Sequence, residues 1–95
     1  MSLIRQDVYA VIDGERNYQD SRWGASTIHT VAEYILYMEH HLSEARRLIT
    51  TQGDPKASRD ALDVLRKVTA LGVVCMEQNG AVERVFHIDA GSPNL

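Results

Sequence analysis

The middle of the chain carries acids, histidines and bases at helical spacing. Tyr37, His41, Glu44 and Leu48 recur every three or four residues, and so do Asp60, Asp63 and Lys67. Each set therefore lines one flank of a helix. If a short loop makes those helices antiparallel neighbours, the two flanks face each other beside the core. His41 and Glu44 with Asp60 and Asp63 then supply three carboxylates and an imidazole, a set able to hold a divalent cation such as magnesium. The same spacing also describes a solvated edge with surface salt bridges, since charged flanks are the norm for amphipathic helices.

Other residues invite a nucleotide. Arg22-Trp23 pairs a guanidinium fork with an aromatic plane, which suits stacking on a base and bonding to its edge. The plain alternative for Trp23 is a hydrophobic plug at a helix end. Arg46-Arg47 and Arg66-Lys67 are cations for phosphate, or simply solvated charge. His29 precedes Thr30 at the start of a helix, where anions bind, and equally reads as a loop histidine. His40 and His41 with His29 or His87 lack the tight spacing of a zinc site. There is no P-loop, dinucleotide-binding glycine set or nucleophile elbow. Cys75 lies in an apolar run without a base nearby in sequence, which makes it a poor nucleophile and a reduced, buried thiol.

Ninety-five residues make one domain, short enough to be marginally stable alone. Thirteen acids against ten bases leave a net charge of −3, which does not suit a nucleic-acid coat or a binder of anionic membranes. The opening MSLIRQDV lacks the apolar stretch of a signal peptide, and no run reaches membrane-spanning length. The expectation is a cytoplasmic protein.

These side chains need elements to hold them, and the pattern predicts three helices. The first covers 3–22, with Ser2 as a cap and Ile4, Val8, Val11 and Ile12 on one face. Gly14 weakens it, and the run DVYAVI would also make a short strand. Trp23-Gly24 ends the segment. The second covers 31–51, opened by a capping box at Thr30 and Glu33. Its apolar stripe is Val31, Tyr34, Ile35, Met38, Leu42, Ala45 and Ile49, and Gly53 follows its last turn. The third covers 55–78, with Asp54 as cap, Pro55 in the first turn and Gly80 as the stop. Ala61, Leu65, Val68, Gly72 and Cys75 share one of its faces. From Ala70 to Met76 nearly every residue is apolar, more than two or three helices of one chain are expected to enclose, so a self-association surface is expected there. The tail 81–95 offers a short strand at Val85–Ile88. The expected fold is an all-α antiparallel bundle of about three helices, completed by homo-oligomerisation.

Residues 15–24, ERNYQDSRWG, followed by His29, resemble the corresponding segment of phage and bacterial MazG-like proteins, which are all-α nucleoside triphosphate pyrophosphohydrolases. His40-His41-Leu-Ser-Glu44-Ala45 resembles their EExxEA segment. The run Leu65–Leu71, continued to Cys-Met-Glu77, resembles their later helix. The similarity spans about residues 15–78 in short, degenerate motifs. The family holds magnesium with ExxE on one helix and ExxD on the next, and the metal activates water and neutralises the triphosphate. Position by position, the first pair becomes His41 and Glu44, and the second becomes Val64 and Lys67. Valine cannot ligate and an ammonium repels the metal, yet it can meet a phosphate. Asp60 and Asp63 restore the spacing one turn earlier, although the flanking apolar pattern favours Val64 and Lys67.

The resemblance thus implies a phage-type, non-catalytic nucleotide-binding protein without a cofactor, sequestering a cyclic or ADP-ribose-like immune signal. Tyr18 and Trp23 would stack the base, Arg66 and Lys67 would hold phosphate, and Glu44 would complete the site. The rival is a magnesium-dependent pyrophosphohydrolase using His41, Glu44, Asp60 and Asp63. A third reading is a helical interaction protein with no small ligand.

Overall fold

The computed structural model describes residues 2–24, 26–51 and 53–85. They form three helices and no strand: α1 (Arg5–Trp23), α2 (Val31–Thr51) and α3 (Pro55–Asn79). The run DVYAVI is helical. The strand expected at 85–88 lies, apart from Val85, outside the described residues, and Val85 is not in a strand.

The helix ends follow local chemistry. Thr30 N–H donates to Glu33 Oε1 at 3.0 Å and Glu33 N–H donates to Thr30 Oγ1 at 3.1 Å. This is the reciprocal capping box read from the sequence. Asp54 Oδ1 accepts from Ala57 N–H at 2.8 Å with Pro55 in the first turn. α1 ends at Gly24, whose φ of 83° favours a residue without Cβ. Ser2 does not cap α1. The capping position is Ile4, which offers only its carbonyl to Asp7 and Val8, because Ser2 stands too far ahead of the first turn.

α3 is the middle helix. α1 and α2 each pack on it and not on each other. Towards α2 it presents Val64, Val68 and Leu71, all buried, and Tyr34 and Met38 of α2 join Leu71, Val74 and Cys75 in the core. Towards α1 it presents Arg66 and Glu77, which bond to Glu15 and Arg16. Ala70, wholly buried, lies on this side one turn after Arg66 and two turns before Glu77. This double contact overturns the expected location of a self-association surface. Ala70, Leu71 and Val74 are covered within the chain, and only Met76 of that run is half exposed.

The apolar stripes are split instead. On α2, Tyr34, Met38 and Ala45 turn inward, while Val31, Ile35, Leu42 and Ile49 stay about half exposed. One neighbouring helix cannot cover a stripe that wide. On α1 the expectation is reversed. Its buried residues are Glu15, Arg16 and Gln19, whereas Ile4, Val8 and Val11 are exposed.

Two outcomes follow. Leu71→Ala removes a side chain from the centre of the α2–α3 contact and is expected to cost about 2–5 kcal/mol in urea unfolding. The Glu33 carboxylate accepts from the backbone and hydroxyl of Thr30, which lowers its pKa below the ordinary glutamate value. A lowered folded-state pKa means that this stabilisation is present above the ordinary glutamate range and is lost as pH falls through the lowered value. The helical signal of the wild type should therefore decline on acidification more than that of Glu33→Gln.

Candidate functional site

α1 is attached to α3 through charge. The Arg16 side chain, only 7% exposed, donates from Nε to Glu77 Oε1 at 2.9 Å and from Nη2 to Asp20 Oδ1 at 2.9 Å. Nη1 donates to Gln19 Oε1 at 3.3 Å. Glu77, above all, and then Asp20 raise the Arg16 pKa against the opposing effect of burial. From the neighbouring position on α1, Glu15 Oε1 accepts from Arg66 Nε at 2.7 Å, about three turns before Glu77 on α3, and Arg66 Nη2 also lies 2.6 Å from Asp63. Gln19 closes the set by donating to the Lys67 carbonyl at 3.4 Å. No buried side-chain polar atom among the described residues lacks a partner, so the interface meets the requirement that buried polar groups be paired.

Held this way, the C-terminal half of α1 stands off from α2 and leaves a cleft between them, with α3 as its floor. Its main cavity, about 450 Å³, is lined by Trp23, Thr27, His29, Tyr34, Tyr37, His40, His41 and Leu71. A second cavity of about 210 Å³ shares Trp23, Thr27, His29 and Tyr34 and extends to Arg16, Asp20, Glu77 and Gln78. Together they fall within the size range of small-molecule sites.

The aromatic wall is ordered by edge contacts. His29 meets Tyr34 and Tyr37 edge-on, with ring centres 5.4 Å and 5.3 Å away, and the two tyrosines are 6.4 Å apart. Such arrangements are the favoured geometry of aromatic pairs. His29 also sits 3.4 Å from Glu33. The end of α3 fixes the loop that carries His29. Gln78 accepts from His29 N–H at 3.1 Å and from the Tyr34 hydroxyl at 2.6 Å, and donates to the Thr27 carbonyl at 2.8 Å. Asn79 donates to the His29 carbonyl at 3.2 Å. Burial raises the Tyr34 pKa, so the phenol remains a donor at neutral pH.

The structure gathers some of the residues anticipated from sequence and separates others. Trp23 enters the cleft, 54% exposed. Tyr37 and His41 face it across from Trp23. Tyr18 and Arg22, exposed on α1, line neither cavity. Glu44 is exposed on α2. Lys67 stands one turn before Leu71 on the cleft side of α3, 3.7 Å from Asp63. Arg66 is committed to Glu15 and Asp63 and joins α1 to α3.

The four residues of the metal alternative do not converge. Asp60 pairs with Lys56 at 2.8 Å, Asp63 lies between Arg66 and Lys67, and His41 opens into the cleft. Among the described residues no three His, Cys, Asp or Glu side chains gather as a metal site. The structure thus does not bring His41, Glu44, Asp60 and Asp63 together as one ligand set. No helix is long and apolar enough to cross a membrane. No protein family, curated protein or solved structure matches this chain.

The sequence reading missed the joint between α1 and α3. Glu15, Arg16, Gln19 and Asp20 recur at helical spacing, and Arg66 and Glu77 offer the complementary charges, so a signal existed. Arg16→Lys should test the joint, because an ammonium cannot match the three directions of the fork. The expected loss is about 1–3 kcal/mol in chemical unfolding. Arg22→Lys, on the exposed side of the same helix, should stay within about 0.5 kcal/mol of wild type.

Proposed function

We propose that this chain is a non-catalytic nucleotide-binding protein, of phage type, that sequesters a nucleotide immune signal of the cyclic or ADP-ribose-like kind. The observation that carries the proposal is the aromatic cleft, with Trp23 on one wall, Tyr37, His40 and His41 on the other, and Leu71 beneath. Flat rings around an apolar floor suit a nucleobase, since stacking contributes about 1–3 kcal/mol per base. Arg16, Asp20, Glu77 and Gln78 at the adjoining cavity offer donors and acceptors for a sugar or a base edge. Lys67 is the cation for phosphate, and the His40 and His41 imidazoles line the cavity beside it as hydrogen-bonding groups. Arg66 contributes only if it releases Asp63.

Binding without turnover is favoured by the state of the carboxylates. Magnesium-assisted hydrolysis needs several oxygen ligands around one ion. Here Asp60 and Asp63 are each matched to a base on their own helix, and Lys67 brings positive charge beside them.

A bound ligand raises the melting temperature by mass action. Thermal shift against ATP, GTP, cyclic dinucleotides and ADP-ribose should therefore single out one class. Trp23→Ala and Tyr37→Ala should each weaken that ligand roughly 5- to 150-fold in calorimetry, as expected for one lost stacking contact. Absence of any shift across the set overturns the proposal. Pyrophosphate release with magnesium, abolished by Glu44→Ala, overturns it in favour of the hydrolase.

A further inference from the structure

The three helices make one layer. α1 and α2 flank α3 on opposite sides without meeting, and the cleft opens on one face of that layer. By helical spacing, Ile35 and Leu42 lie on the side of α2 turned away from Tyr37, and Leu65 lies on the side of α3 turned away from Lys67. On α1, Val8 and Val11 border a groove of about 490 Å³ whose other wall is Leu62 and Leu65 of α3. These six side chains are between 43% and 64% exposed. We infer that this face is covered by a second copy of the same chain, packed layer against layer.

Three observations point to a second copy. First, stable domains bury an apolar face between two layers of secondary structure, and this chain supplies one. Second, the exposed area has the right size. A compact monomer of 10.7 kDa is expected to expose about 5,500 Å², whereas this chain exposes 7806 Å². Even with residues 86–95 counted as wholly exposed at roughly 1,600 Å², the remainder exceeds a compact monomer of its mass by about 1,100 Å². Each partner in a standard interface contributes roughly 800 Å². Third, the chain carries both halves of a helix-to-groove fit. Ile35, Leu42 and Ile49 recur every seven residues, the spacing of a coiled-coil seam, and the α1–α3 groove is an apolar slot for such a ridge. A two-fold arrangement lets each copy offer the same patch to the other.

Light scattering on the full chain should return a multiple of 10.7 kDa. The double variant Leu62→Glu with Leu65→Glu changes positions that are exposed in the single chain. It should fall to 10.7 kDa while keeping its helical dichroism. Leu36→Glu, equally exposed but on the outer side of α2, should leave the mass of the assembly unchanged. If the double variant does not fold, the unmodified chain decides. Its melting temperature should rise when protein concentration is raised 100-fold, because unfolding also dissociates the copies. A mass of 10.7 kDa for the unmodified chain, a melting temperature independent of concentration, or a folded double variant of undiminished mass each overturns the inference.

Discussion

A buried guanidinium governs the architecture. Arg16 enters the contact between α1 and α3 and is satisfied there by Glu77, Asp20 and Gln19, with Glu15 and Arg66 as a second tie from the adjacent position on α1. Burying a charge is costly unless it is paired and fully bonded. The charged face of α1 must therefore meet α3 in the one register that brings these partners together. A helix attached through its polar side leaves its apolar side outward, which is why Val8 and Val11 are exposed. The same register puts Trp23, two turns beyond Arg16, at the mouth of the cleft.

α3 mediates between two kinds of contact. Its α2 side is apolar and supplies the stabilising burial of Tyr34, Leu71 and Val74. Its α1 side is charged and supplies direction more than energy. Between the two sides lies the floor of the cleft, where Leu71 is apolar and Lys67, one turn earlier, is cationic. Gln78 and Asn79 at the helix end then draw in the loop with His29 and complete the aromatic wall. Every wall of the proposed nucleotide site is thus set by α3, although only Leu71 of α3 borders its main cavity.

Much of this was legible in the residues themselves. The capping box at Thr30 and Glu33, Asp54 with Pro55, and Gly24 and Gly80 mark their helix ends by local chemistry, and the structure agrees. Trp23 stood out at a helix end and Tyr37 and His41 on a helix flank, and they converge on one cleft. What was not legible is which surface covers which. Periodicity identifies an apolar face on α1 but not its occupant, so Ile4, Val8 and Val11 were expected inside. The pairing of Arg16 with Glu77 and of Glu15 with Arg66 joins positions 61 and 51 residues apart, and nothing local encodes such a match. Arg66 illustrates the consequence. As a sequence neighbour of Lys67 it resembles a phosphate ligand, and in the fold it fastens two helices.

The chain contains a single tryptophan, and that residue is a wall of the cleft, so its fluorescence reports on the proposed site alone. Titration with the nucleotide selected by thermal shift should change the Trp23 emission saturably, with the midpoint given by calorimetry. Emission that stays constant while calorimetry records binding would place the nucleotide elsewhere and contradict the account.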